Sequence, residues 1–146
     1  MNATQSTTYA TGNCAANNCE AWRALDGDKN TLSITDPWQT GWWTAEMSSL
    51  VRIQKIQLYL ASYPFNNGYY SKLTIETRLD GTGIWSVCKG EYSVTGSIDP
   101  HEVSCEQETI AKHLRISTGR ADGLVLREVK VIGMPLQIGG CRRIGS

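Results

Sequence analysis

The chain has 146 residues, with 14 Lys plus Arg against 14 Asp plus Glu, and 40% apolar residues. That length suits one domain with its own core, and the balanced charge gives no electrostatic reason to expect nucleic acid or anionic lipid as a partner. No apolar run approaches the roughly 20 residues that span a bilayer, so membrane insertion is not expected.

Met1 is followed by a polar stretch, Asn2 to Thr8, and not by an apolar leader. The chain therefore reads either as cytosolic or as cut from a longer precursor. The cysteines favour the second. Cys14 and Cys19 bracket a polar loop, NCAANNC, while Cys88 and Cys105 sit near the ends of predicted strands. Neither pair has a second CxxC or a His at metal-ligand spacing, so disulfides are expected and zinc is not. Disulfides imply an oxidising, secreted or cell-surface setting. The sequon Asn2-Ala3-Thr4 agrees with secretion. Cys141 is left over in the tail GGCRRIGS, open to pairing with another chain in a multimer or with a larger parent protein.

Further along, Cys19 to Leu25 has the make-up of one or two helical turns running into an Asp26-Gly27 turn. Strands dominate the rest. Val51 and Ile53, then Ile56, Leu58 and Leu60, alternate with polar residues and shift phase around Gln54-Lys55, which marks a bulge or bend. Leu73 and Ile75 alternate up to an Asp80-Gly81 turn, Trp85 and Val87 follow, and a polar loop runs from Gly96 to Pro100. His113 to Ile116 reads as a short strand. Leu124, Leu126, Val129 and Val131 form a last strand with a phase shift at Arg127-Glu128. Short strands spaced by turns, with no long helix, predict an all-β sandwich or barrel spanning residues 1–134, with 135–146 as a tail or linker.

The ordered set Ala24-Leu25-Asp26-Gly27, Gly41-Trp42-Trp43, Ile53 to Leu60, Leu73 to Thr77, Trp85 to Cys88 and Leu126 to Val131 resembles the F-type lectins (fucolectins), within the broader coagulation-factor discoidin-like domains. The resemblance covers about residues 2 to 134. It implies a jelly-roll β-sandwich of the galactose-binding-domain type, and a cysteine pair in the family corresponds to Cys88 and Cys105. It also implies a structural Ca²⁺ held by Arg23 (carbonyl), Asp26, Asp28 (carbonyl), Ser33, Arg127 (carbonyl) and Glu128. Hard oxygens from a tight loop and a few carboxylates are what calcium takes, and Glu128, interrupting an apolar strand, needs a partner. Otherwise Asp26-Gly27 is only a turn, and Glu128 pairs with Arg127 or Lys130 at the surface.

The family grips fucose with one His and two Arg. Here the matching stretches read Ser33 to Asp36, Leu60 to Tyr63 and Tyr69-Tyr70, so all three basic residues are missing. Ordinary fucose recognition is not expected. Instead, Asp36, Trp38 and Gln39 on one loop, and Tyr63, Phe65, Asn66, Asn67, Tyr69 and Tyr70 on another, offer aromatic faces and amide groups of the kind that read sugars. They also suit a protein hot spot, and Phe65 with one Tyr could simply anchor the long loop. With no nucleophile set beside His101 or His113, and no facing carboxylates beyond an ungrounded Asp36 and Glu46, catalysis is not expected. The function expected is an extracellular calcium-binding, lectin-like module for glycans or glycoproteins; the alternatives are an adhesion domain that has lost sugar binding and an accessory domain of a larger protein.

Overall fold

The computed structural model describes residues 2–16, 18–37, 39–61, 69–95, 100–119 and 123–136. Eight strands run in chain order: β1 (Asn2–Gln5), β2 (Ser33–Ile34), β3 (Trp42–Leu60), β4 (Tyr69–Arg78), β5 (Ser86–Thr95), β6 (His101–Val103), β7 (Thr109–Thr118) and β8 (Val125–Pro135). Two 3₁₀ turns, Gly12–Cys14 and Ala21–Leu25, lie between β1 and β2. Among the described residues no helix is long and apolar enough to cross a membrane.

All the pairings are antiparallel, and β3 belongs to both layers of the sandwich. Its first half, Trp42 to Glu46, pairs with β1 and β7, and β7 continues to β4 and β5. Its second half pairs with β8 and β6, and β8 continues to β2. The strand changes layer through register breaks between Glu46 and Val51 and between Ile53 and Lys55. The second break is the phase shift expected at Gln54-Lys55. An extra residue in one strand bends it and moves its side chains to the other face.

Alternation fixes which face is inside. Trp43, Ala45 and Met47 are buried while Trp42, Thr44 and Glu46 face outward. Leu73, Ile75, Leu114 and Ile116 meet Ile56, Leu58, Leu60 and Leu126 in one continuous core. Each fully buried Leu or Ile contributes about 1.5–3 kcal/mol relative to exposure. Trp43 donates its indole N–H to the Ala21 carbonyl at 2.9 Å, tying the second 3₁₀ turn to this core.

Both expected disulfides are formed, Cys14–Cys19 and Cys88–Cys105. The strand expected over His113 to Ile116 is longer, Thr109–Thr118, and β3 begins at Trp42 and not at Val51. The short strands β1 and β6 were not expected. At the other end, the Leu136 N–H donates to the Leu50 carbonyl at 2.8 Å, so sheet structure reaches just past position 134. Cys141 lies outside the described residues.

Candidate functional site

Two regions stand out: an oxygen-rich turn packed on β8, and the loops whose bases meet at the start of β8.

The turn follows Ala21–Leu25. Gly27 takes φ +79°, a left-handed conformation that suits glycine. Asp26 Oδ1 then accepts the Asp28 N–H at 2.9 Å, and Asp28 Oδ1 accepts the Asn30 N–H at 2.9 Å. These bonds curl the chain so that Thr31 Oγ1 lies 2.6 Å from Asp26 Oδ2, 3.0 Å from the Asp28 carbonyl and 3.3 Å from the Arg23 carbonyl. A hydroxyl has one hydrogen and can satisfy one of those three acceptors at a time.

Glu128 closes the group from β8. Its two carboxylate oxygens share the single Gly27 N–H, at 3.2 and 3.3 Å. The residue is 4% exposed, where the alternative placed it at the surface beside Arg127 or Lys130. Burial raises the Glu128 carboxyl above an ordinary glutamate; the Gly27 N–H opposes this, and the nearby Asp26 charge adds to it. Lys29 and Lys130 lie over the Tyr59 ring and weaken the effect from a distance.

Arg127 is the extra residue of a bulge, since Tyr59 pairs with Glu128 and Leu60 with Leu126. This is the phase shift expected at Arg127-Glu128. Its Nε donates to the Leu60 carbonyl at 3.1 Å.

Of the expected metal ligands, the structure therefore brings together the Arg23 carbonyl, Asp26, the Asp28 carbonyl and Glu128. Ser33 does not join them. It is buried in β2 and its hydroxyl donates to Gln5 Oε1 at 2.7 Å. The hydroxyl that lies among them is that of Thr31, which sequence reasoning missed. The signal was present as D-G-D-x-x-T, a turn that carries its own hydroxyl back over its own carbonyls.

Among the described residues no cluster of three or more His, Cys, Asp or Glu side chains occurs. The donor set here is of another kind, two carboxylates, two carbonyls and a hydroxyl, with more acceptors than hydrogens to fill them. Such a set of hard oxygens fits calcium.

The second region is built on Thr35, Gly41, Tyr70 and Thr118. Thr35 is buried and its hydroxyl accepts the Leu124 N–H at 2.7 Å, while the Thr35 N–H donates to the Leu124 carbonyl at 3.1 Å. A side chain at Gly41 would meet Thr35 Oγ1 at 2.4 Å, so glycine lets the two ends of the loop close. Thr118 holds Gly41 from β7, accepting its N–H at 3.0 Å. The loop carrying Asp36 and Gln39 is thus clamped at both ends. Asp36 is half-buried and donates its N–H to Thr7 Oγ1 at 2.8 Å; Gln39 is exposed.

Tyr70 corrects an expectation. It is 1% exposed, and its hydroxyl donates to the Ala61 carbonyl and lies 3.1 Å from the Val125 carbonyl. It faces the core rather than a ligand, closing the base of the long loop between β3 and β4. Trp38, Tyr63, Phe65, Asn66 and Asn67 lie outside the described residues, and only the backbone of Tyr69, the first residue of β4, is described. What is described is that both loop bases attach to adjacent residues, Leu124 and Val125.

A depression of about 560 Å³ lies elsewhere, between the β4–β5 turn and Gln107 to Ile110, and shares no residue with either region.

An F5/8 type C domain model matches residues 2–128. No curated protein matches the chain. Among solved structures, chitosan-binding module 1 of a chitosanase/glucanase from Paenibacillus sp. IK-5 is 23% identical with a TM-score of 0.69, covering 90% of this chain and 94% of that one. The family 32 carbohydrate-binding module of Clostridium perfringens NanJ, solved with galactose, is 16% identical with a TM-score of 0.70, covering 89% and 91%. The lectin domain of lectinolysin, solved with Lewis B antigen, is 18% identical with a TM-score of 0.71, covering 90% and 92%. With the family model spanning nearly all of the sandwich, and an antiparallel two-layer fold to match, the chain belongs to the F5/8 type C domain family.

Proposed function

We propose that this domain is a secreted, non-catalytic glycan-recognition module, whose ligand sits among the loops anchored on Leu124 and Val125 and whose fold is closed by a structural calcium ion. The observation that carries the reading is the attachment of two aromatic- and amide-rich loops to one short stretch of β8. Support comes from the fold's solved relatives, which include carbohydrate-binding modules and a lectin domain.

In this reading Trp38, Tyr63 and Tyr69 offer stacking faces to a sugar ring, and Asp36, Gln39, Asn66 and Asn67 read hydroxyls. The clamps at Thr35, Gly41 and Tyr70 hold the loop bases in place before a ligand arrives, which lowers the entropy lost on binding. The stretches where the resemblance would put fucose-binding basic residues, Ser33 to Asp36, Leu60 to Tyr63 and Tyr69-Tyr70, hold no His or Arg, which favours a sugar other than fucose. Calcium, where bound, would neutralise Asp26 and Glu128 and link the turn to β8. Asp26, Glu128, Thr31 and the carbonyls of Arg23 and Asp28 would hold it.

A glycan array probed with and without EDTA tests this proposal. Binding to a restricted set of glycans, lost in Trp38→Ala, is expected. A blank array at high protein concentration, with binding instead to a protein that free sugar does not displace, would favour an adhesion domain.

A further inference from the structure

The outer face of the β1-β3-β7-β4 layer carries a feature that neither region above uses. Thr4, Thr44, Arg115 and Glu76 stand side by side across four strands. Next to this row Trp42 is 38% exposed, and the Thr4 and Thr44 hydroxyls are 2.6 Å apart. Trp85, just ahead of β5, has the Arg78 guanidinium 4.2 Å and the Arg115 guanidinium 4.5 Å from its ring centre. Thr4, Trp42, Thr44, Arg78, Trp85 and Arg115 enclose a cavity of about 220 Å³.

The charges lining this cavity are both positive. Arg115 is paired, with Nε 3.0 Å and Nη2 2.9 Å from Glu76 Oε1. Arg78 is in no such pair among the described residues: its Nη1 lies 3.5 Å from the Gly83 carbonyl, its Nε is buried with no partner, and Asp80 lies near enough to feel its charge. The other carboxylates nearby are already engaged and do not line the cavity. Glu46 faces His113 at 3.5 Å, and Asp80 accepts from the Thr82 N–H and hydroxyl. A guanidinium with unfilled donors, seated over an indole ring, suits a planar or tetrahedral anion. The exposed Trp42 face and the two threonine hydroxyls suit a sugar ring beside that anion. At this size the cavity falls below the roughly 300–1,000 Å³ of drug-sized sites and takes a single ring.

We propose that this sheet face is a second ligand site, binding one acidic sugar unit whose ring lies on Trp42 and whose carboxylate or sulfate group meets Arg78 and Arg115. The choice of a sugar rests on the glycan-binding reading; the choice of an anion does not. Calorimetric titration of the full chain with an oligogalacturonate, a sulfated disaccharide and a neutral galactose oligomer tests it, the first two separating carboxylate from sulfate.

At least one acidic probe should bind, one per chain, more weakly as salt is added. Affinity should fall by roughly tenfold or more in Arg78→Gln and in Trp42→Ala, the loss expected for a charge-assisted bond or a stacking face. Arg78→Lys, which keeps the charge but not the fork, should fall between. Thermal unfolding of each variant shows whether it is folded, and Arg78→Gln alone decides the matter should Trp42→Ala fail to fold. Neither acidic probe binding to the wild type, equal binding of the neutral oligomer, or undiminished binding to Arg78→Gln would overturn the proposal. Trp42→Ala should keep its glycan-array pattern for neutral glycans, so failure at the sheet face and failure at the loop end are read separately.

Discussion

The backbone N–H of Gly27 lies 3.2 and 3.3 Å from the two carboxylate oxygens of Glu128, joining positions 101 residues apart. Among the described residues one shared N–H leaves most of this buried carboxylate's acceptor capacity unused, and Asp26 sits close enough to disfavour its charge. A cation held between these residues would turn a local cost into a link between the turn and β8. The same strand begins at Val125, whose carbonyl lies against the Tyr70 hydroxyl. The ion region and the loop anchors are thus a few residues apart on one element.

Lowering the pH should weaken calcium binding. The Glu128 carboxyl is raised above 4.5, chiefly by burial, and calcium takes the deprotonated form. Protons therefore compete at a higher pH than they would for an exposed glutamate. In metal-free protein the sign is opposite. The folded state binds the Glu128 proton more tightly than the unfolded chain, so this group's contribution improves as the pH falls through its raised value. Melting curves against pH in EDTA and in calcium, each referenced to Glu128→Gln, should show the calcium-dependent gap narrowing on acidification.

Tyr70→Phe should destabilise the domain by about 1–3 kcal/mol, the cost of leaving a buried acceptor without its donor. The ring stays in the core, so the loss reports the hydroxyl's one hydrogen bond, shared between the Ala61 and Val125 carbonyls. Hydrogen exchange should quicken at the ends of β3 and β8, and affinity for any loop-end ligand should drop with it. Unchanged stability would mean that the hydroxyl does not anchor the loop.

Removing the Cys88–Cys105 bridge in a double alanine variant should cost about 3 kcal/mol in urea unfolding, the value for a loop of this length. The bridge also positions Glu106, whose N–H donates to the Cys88 carbonyl at 2.7 Å and whose carboxylate accepts the Gly90 N–H at 2.7 Å. These contacts cover part of β5, which lies at the end of its layer, and such edges invite pairing with other chains. Aggregation of the variant should therefore rise along with its instability.

The strongly periodic segments were legible before the structure. The breaks at Gln54-Lys55 and Arg127-Glu128 showed because a bulge shifts an apolar pattern by one residue, and both breaks exist. The short strands β1 and β6 did not show: four and three residues carry too little alternation, and their partners lie in distant parts of β3. Thr31 was passed over for Ser33, since which hydroxyl turns back on the loop depends on bonds within the turn and not on distance along the chain. Tyr69 and Tyr70 were indistinguishable, since nothing adjacent in sequence reveals that the partner of one hydroxyl sits 55 positions away.

Thermal unfolding of the intact chain in EDTA and in a calcium series addresses the link between Asp26 and Glu128 itself. At a hundredfold excess over Kd, one ion should add about 2.7 kcal/mol, a rise of roughly 5–10 °C in Tm for a domain of this size. Glu128→Gln and Asp26→Asn should each abolish the rise while remaining folded. A melting temperature in the wild type that is indifferent to calcium would contradict the ion's role and leave the Gly27–Glu128 contact as the hydrogen bond that ties the turn to β8.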